Sequence, residues 1–342
     1  MIRTYRRLAG AVIAAACLTA PMASANDSSA ELTTGGLVLT KHPAIEMRSE
    51  DLYVSAKLVR VRYRFVNTSA EDVTTLVAFP MPDITIEGED DMLSIPTEDP
   101  RNILAFATTV NGKPVRADVE QKAVKDGVDR TAYLRGMGIP IGPHLRATNA
   151  VVDALPQARK DELIKAGLAQ IMEYNSGKGW ERHAYATWTL KTTWFWRQTF
   201  PAGKEVVIEH RYKPSVGTTS GTGWGSPWSD PSKDPEYPAR RRHYCVDDDF
   251  LAAIGRVMKA TNAQSPPFTE ERIEYILRTG ANWKAPIGDF RLVVDKGDAS
   301  SLISFCGEGV RKISATQFEV RRANFTPTQD LSILILKRGG IQ

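Results

Sequence analysis

Alternation of apolar and basic residues is the clearest pattern in the N-terminal third of the chain. Residues 59–65 read Val-Arg-Val-Arg-Tyr-Arg-Phe, which predicts a β-strand with one buried face. Upstream, Val54, Ala56 and Leu58 lie on the opposite parity, which indicates a β-bulge or a strand buried on both faces. Residues 73–79 predict the next strand, which ends at a Pro-Met-Pro triplet because proline cannot donate to a sheet.

Asn111-Gly112 predicts a β-hairpin, since these residue types supply the positive φ angles of a type I′ turn. Its strands would span 103–110 and 113–121. The C-terminal half again carries strand patterns, and these lie at 185–196, 206–212, 290–294, 302–306, 317–321 and 331–336.

Helical patterns are confined to two parts of the chain. Apolar residues near helical spacing predict a helix at 157–173. Asp247-Asp248-Asp249 suits the N-terminus of a helix over 247–260, and Thr269 with two glutamates suits another over 269–279. The predicted fold is therefore mainly β, with one or two antiparallel β-sandwich cores and helical insertions at about 157–173 and 247–279.

The predicted organisation has four parts. Residues 1–25 form a cleaved signal peptide, 26–135 an N-terminal β-sandwich region, and 136–182 a helical insertion. Residues 183–342 form a C-terminal β region, which contains a long loop at 214–238 and two short helices.

The signal peptide is predicted from three features of residues 1–25. Three arginines precede an apolar run that is too short to span a bilayer, and Ala23-Ser24-Ala25 matches a cleavage site. Cleavage after Ala25 would leave Asn26 first and place the protein in the periplasm or outside the cell. A buried N-terminal helix and lipid attachment at Cys17 are the alternatives, although the usual leucine is missing upstream of Cys17. No later stretch has the length of a transmembrane helix.

Two cysteines remain after residue 25, Cys245 and Cys306. An even pair in an oxidising compartment predicts one disulfide. Two cysteines are too few for a structural zinc site, and no histidine cluster completes one.

Several short stretches of the chain resemble a bacterial family known as domain of unknown function 4424, and together they extend over almost all of the chain after residue 25. They include Val77-Ala78-Phe79-Pro80-Met81-Pro82, Phe200-Pro201-Ala202-Gly203-Lys204, His210-Arg211-Tyr212 and the segment from Gly288 to Lys296. The resemblance implies no activity. Residues 52–135 are also similar to the vault/inter-alpha-trypsin β-sandwich domain, which supports the β fold only.

Charge and motifs exclude several functions. The net charge is +4, and three of the positive charges lie in the first 25 residues, so the remainder is nearly neutral and predicts no nucleic-acid partner. No metalloprotease, serine-hydrolase or phosphate-loop motif occurs, and the five histidines lack ligand spacing. We therefore expect no catalytic residue, metal site or cofactor to be identifiable. Residues 87–91 and 247–249 could bind calcium, but a solvated loop and a helix start are the favoured explanations of the two groups.

Aromatic residues mark the predicted binding surface. Trp224, Trp228 and Tyr237 lie in the Gly/Ser/Pro-rich loop 214–238, where exposed rings are typical of recognition; the alternative is that they cap the sandwich. Trp188, Trp194 and Trp196 share one parity and form either core or a stacking face.

The predicted function is non-enzymatic recognition of an envelope protein or glycan. The alternative is an exported, carbohydrate-active hydrolase with unidentified paired carboxylates.

Overall fold

The computed structural model describes residues 26–34, 36–86, 92–175, 177 and 179–338. The predicted signal peptide and the acidic residues 87–91 lie outside these ranges. In chain order the strands are β1 Ser28–Thr33, β2 Gly36–Thr40, β3 Ile45–Ser55, β4 Leu58–Asn67, β5 Val73–Pro80, β6 Met92–Ser94, β7 Ala107–Val110, β8 Lys113–Val115, β9 Asp118–Lys125, β10 Val128–Asp129, β11 Ala169–Asn175, β12 Trp180–Ala186, β13 Thr189–Phe200, β14 Glu205–Tyr212, β15 Val216–Thr219, β16 Phe268–Tyr275, β17 Ile287–Asp295, β18 Leu302–Phe305, β19 Arg311–Lys312, β20 Gln317–Phe325 and β21 Leu331–Arg338. The helices are α1 Thr131–Gly136, α2 Arg146–Ala154, α3 Gln157–Lys165, α4 Tyr237–His243 and α5 Asp248–Thr261, with a 3-10 helix at Arg278–Asn282.

Three large sheets surround the main core. An eight-stranded sheet has the order β19-β20-β17-β3-β4-β14-β7-β8, a six-stranded sheet β10-β9-β13-β5-β1-β2, and a five-stranded sheet β18-β21-β16-β15-β6. Each sheet takes strands from both the 26–135 and the 183–342 regions. The mainly β fold class predicted from the sequence is confirmed.

The alternating pattern of β4 determines how the sheets pack. Val59, Val61, Tyr63 and Phe65 are buried, while the arginines between them are exposed. The buried face meets apolar residues of the other two sheets, among them Phe79, Trp196, Ile273 and Ile333. The parity switch at Leu58 is the turn of a β3–β4 hairpin, so neither a bulge nor a doubly buried strand is needed there.

The hairpin at Asn111-Gly112 is confirmed, with φ angles of 50° and 75° at the two turn residues. Both of its strands are shorter than predicted, because β7 begins at Ala107 and β8 ends at Val115. The chain then crosses to the six-stranded sheet, where β9 pairs with β13. In and beside β13, Trp188 and Trp196 are buried and Trp194 is half-buried, which assigns these tryptophans to the core.

The helix predicted over 247–260 is confirmed as α5, and the Asp247 carboxylate caps it by accepting a hydrogen bond from the Phe250 amide. The helix predicted over 269–279 is wrong, since β16 occupies Phe268–Tyr275. Its threonine and glutamates resemble a helix start, but the strand pairs along its whole length with β21. Tertiary pairing therefore overrides the local helix signal.

The helix predicted over 157–173 is correct only in its first half. The helix α3 ends at Lys165, and residues from Ala169 onward form β11 of a two-stranded sheet. Sequence reasoning also missed α2, whose side chains protect the outer edge of β12. Asn149 accepts a hydrogen bond from the Ala186 amide, and Asp153 accepts one from the Ala184 amide. These contacts cover a strand edge that would otherwise be open.

The predicted disulfide is confirmed: Cys245 and Cys306 are bonded, with their Cα atoms 5.1 Å apart. The bridge joins the residues just before α5 to the end of β18. Within the described ranges, no helix combines the length and the apolar character needed to cross a membrane.

Candidate functional site

The loop that the sequence marks for binding packs against the five-stranded sheet. Trp224 is 5% exposed and belongs to a small core with Ile254 of α5 and Leu334 of β21. Its ring lies 5.4 Å from the Tyr237 ring and 5.8 Å from the Arg240 guanidinium. The expectation that Trp224 is exposed is therefore wrong. The outer face of β21 is apolar and has to be covered, and Trp224 helps to cover it.

Trp228 differs from its neighbour, because 81% of it is exposed. Tyr237 is half-buried at the start of α4. A role of the loop in binding stays a prediction, and of its three predicted residues Trp228 presents the most surface to a partner. The sequence could not separate the two tryptophans, since a Gly/Ser/Pro-rich loop has no periodicity to indicate which ring turns inward.

A concave site lies at a different place, beside the disulfide. We call it the disulfide cleft: a cavity of about 520 Å³ between strands β17 and β20 and the chain around β18 and β21. Its apolar lining is Leu277, Phe290, Leu292, Val320, Phe325 and Leu331, and its polar rim includes Glu308, Arg322 and Asp330. Cys245 and Cys306 form part of the wall.

Strand register builds the floor of the disulfide cleft. In the antiparallel β17–β20 pair, Phe290 lies opposite Arg322 and Leu292 lies opposite Val320. The Phe290 ring stacks on the Phe325 ring at a centroid distance of 4.5 Å. Because alternate residues share one face of a strand, Arg322 lies on the same face as Val320. An arginine therefore stands at the margin of an apolar floor.

The two acidic residues at the rim are both held by arginines. Asp330 accepts two hydrogen bonds from Arg278, at 3.1 and 2.8 Å, and its other oxygen accepts the Leu277 and Arg278 amides. Glu308 accepts a 2.8 Å hydrogen bond from Arg322, but its side chain is 93% exposed. Asp330 is thus fixed in place. The ion pair between Arg322 and Glu308 is exposed, so little free energy is lost when another anion replaces Glu308.

A second, more polar cavity of about 420 Å³ shares Cys306 and Asp330 with the disulfide cleft and extends it toward α4. There His243 lies 3.3 Å from Glu274. This hydrogen bond raises the pKa of His243 above its ordinary value, against the opposing effect of burial. With Arg242 in the same lining, this end of the site has cationic character.

Sequence reasoning found the cysteines of the wall but missed the floor and Arg322. The strands were predicted, yet the alternation cannot show that β17 and β20 border a cavity. No group of three or more His, Cys, Asp or Glu side chains in the described part of the chain is arranged to hold a metal ion.

Comparison with known proteins gives a family and a distant structural likeness. The family model for a domain of unknown function (DUF4424) matches residues 25–334. No curated protein sequence is significantly similar to the chain. Among solved structures, the chain is similar to one described as "a putative nutrient binding protein" from Legionella pneumophila subsp. pneumophila str. Philadelphia 1. The identity is 18% and the TM-score 0.43, over 91% of this chain and 70% of that one.

Proposed function

We propose that this chain, which belongs to the DUF4424 family, is an exported protein that binds a ligand in the disulfide cleft without transforming it. The ligand has an apolar body and an anionic group. The observation that carries the proposal is the apolar cavity of about 520 Å³ with Arg322 at its margin. That volume lies within the range of about 300–1,000 Å³ that is typical of small-molecule sites, which are mostly apolar with few polar groups.

Arg322 supports an anionic group on the ligand. A guanidinium binds carboxylates through two parallel N–H donors, and it keeps its charge at any relevant pH. The present partner, Glu308, is highly exposed, so a ligand carboxylate that is partly removed from water can replace it. The apolar floor favours this ligand over a neutral glycan, which needs hydrogen-bonding groups along its whole length.

The partner expected from the sequence was an envelope protein or glycan. A protein fits the disulfide cleft if its C-terminal residue is apolar and enters the cleft, because the terminal carboxylate and an apolar side chain then belong to the same residue. A free fatty or aromatic acid offers the same two features. The shared chemistry is an apolar carboxylate, and the two sources are separated by experiment.

The rim carboxylates support binding rather than hydrolysis. A hydrolase with paired carboxylates needs one acid that keeps its proton and a second that acts on substrate or water. Asp330 instead accepts hydrogen bonds from Arg278 and two backbone amides, and Glu308 pairs with Arg322. Export is supported by the Cys245–Cys306 disulfide, since such bonds persist in oxidising compartments.

Octanoate, octanamide and N-acetylglucosamine are suitable probes for calorimetry and thermal shift. We expect octanoate to bind at least about tenfold more tightly than octanamide, because a charge-assisted hydrogen bond adds about 1.5–3 kcal/mol. Val320→Phe should abolish binding by filling the floor, and Arg322→Gln should reduce the affinity for octanoate to that for octanamide. Arg321→Gln is the matched control, since Arg321 lies on the opposite face of β20 and pairs with Glu319.

A short peptide ending in leucine, compared with its C-terminal amide, distinguishes a protein partner from a free acid. Tighter binding of the peptide than of octanoate identifies a protein C-terminus, and the reverse identifies a small molecule. If neither carboxylate binds, or if Arg321→Gln and Arg322→Gln weaken binding equally, the proposed function is wrong.

A further inference from the structure

Two polar residues at the predicted mature N-terminus are buried in the protein. Asn26 and Asp27 are both 0% exposed, although they directly follow the predicted cleavage site. The Asn26 side-chain amide donates to the Glu50 carboxylate at 2.9 Å and to the Leu277 carbonyl at 3.4 Å. The Asn26 carbonyl accepts a 2.7 Å hydrogen bond from the Thr279 hydroxyl. The chain is therefore fixed at this residue, and not only from β1 onward.

The pocket around Asn26 fits it closely. A Cβ atom added at Gly280 would lie 2.7 Å from the Asn26 amide nitrogen, so a larger residue at 280 would collide with it. Asp27 is held as firmly, because its carbonyl accepts a 2.7 Å hydrogen bond from Trp283 and its carboxylate lies 2.9 Å from His210.

If Glu50 and Asp27 were both ionised, the charges in this pocket would not balance among the described residues. Glu50 and Asp27 are two fully buried carboxylates, and His210 is the titratable base beside them. One oxygen of each carboxylate, Oε1 of Glu50 and Oδ2 of Asp27, has no hydrogen-bond partner. Buried carboxylates without a cation or a donor are costly. Without a further positively charged donor, Glu50 therefore keeps its proton near neutral pH.

We propose that cleavage after Ala25 supplies this donor: the new α-ammonium of Asn26 pairs with the buried Glu50 and Asp27 carboxylates and completes the core. This inference rests on the export part of the proposed function. A signal peptidase adds water across the Ala25–Asn26 bond. The hydroxyl goes to the Ala25 carbonyl carbon, and the released amine takes up a proton to become an ammonium with three donors.

Covalent geometry puts the new charge within reach. The α-nitrogen of an asparagine is at most about 5 Å from its own side-chain nitrogen, and that nitrogen already contacts Glu50. Asp27 is the next residue in the chain. The ammonium therefore forms within about 8 Å of the Glu50 carboxylate, in the residue next to Asp27. Processing becomes a step of folding as well as of export.

The pH dependence of stability follows from the same pocket. While Ala25 is attached, burial and, to a smaller extent, the nearby Asp27 raise the pKa of Glu50 to about 8, against the hydrogen bond from Asn26. Because this folded pKa exceeds the unfolded one, stability falls as the pH rises from about 4.5 to 8. An adjacent ammonium lowers the pKa of Glu50 and reduces that loss. The groups facing the pocket are Asp27, Glu50 on β3, Tyr63 on β4, His210 on β14 and Tyr275 on β16.

Two forms of the mature chain test the inference, one beginning at Asn26 and one at Ala25, both released by protease from a removable fusion partner under oxidising conditions. Both contain every described element. At pH 7 we expect the Asn26 form to melt at least about 3 °C higher, and from pH 5 to pH 8 the Ala25 form should lose more of its melting temperature. Glu50→Gln should remove the difference. Glu31→Gln, at an exposed position of β1, should keep it.

A second measurement decides the matter even if Glu50→Gln does not fold. In the Asn26 form the α-amine should react with an acylating reagent about a hundredfold more slowly when folded than in urea, whereas the Ala25 form should react readily. Equal melting temperatures, or an equally reactive amine in both forms, would overturn the inference. N-terminal sequencing of the exported full chain tests export separately. An intact Met1 or a lipid on Cys17 would refute export, while the two released forms still report on the pocket.

Discussion

Three arginines converge on the Glu319 carboxylate of β20. Arg291 and Arg311 donate to its two oxygens at 2.8 and 2.6 Å, and Arg321 lies at 3.2 Å. These hydrogen bonds lower the pKa of Glu319 to about 2. The cluster ties β20 to β17 and β19, the strands on either side of it in the eight-stranded sheet.

Glu319→Gln should therefore reduce stability in a pH-dependent way. The folded pKa lies below the unfolded value of about 4.5, so the stabilisation is complete above about pH 4.5 and is lost as the pH falls toward 2. We expect the variant to melt about 3 °C lower at pH 7 and the difference to disappear near pH 2. Thermal melts across this range measure it. Glu209→Gln, which breaks an exposed pair with Arg62, is the control, and its melting temperature should differ little from that of the wild type at any pH. If Glu319→Gln lowers the melting temperature by the same amount at every pH, the carboxylate of Glu319 does not stabilise the fold through its charge.

Individual residues also show what the sequence can predict. His210 shares the parity of Ile208 and Tyr212 in β14, so the alternation already assigns it to the buried face. Its partner Asp27 lies 183 residues away, and no local pattern could reveal that pairing. The disulfide was predictable because only two cysteines occur after residue 25. Arg322 was not, because its role depends on a cavity that forms only when the sheets pack.

At the scale of elements, strands with a strong apolar pattern were predicted well and short helices were not. The segments β4, β17 and β21 correspond to predicted strands: β4 alternates strictly, whereas β17 and β21 carry runs of consecutive buried residues. The segment 269–279 carried a helix-start signal, but its position between β15 and β21 made it a strand. Local signals of a few residues yield to pairing along a whole strand.

The loop 214–238 allows a matched test at this scale, because its two tryptophans differ mainly in burial. Trp224→Ala should lower the free energy of unfolding by about 3–5 kcal/mol, the usual cost of removing a buried aromatic side chain. Trp228→Ala should change it by less than about 0.5 kcal/mol. Urea unfolding of both variants measures the difference. If Trp228→Ala costs as much as Trp224→Ala, the exposed ring is structural and its predicted role in recognition fails.

For the molecule as a whole, the disulfide joins the helical segment α4–α5 to the sheet that borders the cleft. The bridge closes a sequence separation of 61 residues, which corresponds to about 4 kcal/mol in the chain-entropy model. It also forms part of the wall of the disulfide cleft. Stability and ligand binding should therefore depend on the same bond.

Replacing both cysteines by serine should lower the free energy of unfolding by up to about 4 kcal/mol and weaken octanoate binding. Urea unfolding and calorimetry measure the two effects. Reductant should reproduce both in the wild-type protein and have no effect on the double variant. In the unreduced, denatured mature protein, thiol titration should find no free cysteine. Undiminished octanoate binding in the variant would show that the bridge does not shape the site.

The parallel pairing of β3 with β17 has a consequence for the time course of folding. These strands lie in the middle of the eight-stranded sheet, yet their contact between Asp51 and Arg291 spans 240 residues of chain. A chain that is synthesised from its N-terminus leaves one edge of β3 unpaired until residues 287–295 have been made. Such long-range closure slows folding and leaves a strand edge open to other chains. Aggregation through this edge is therefore expected to be greatest before β17 pairs with β3.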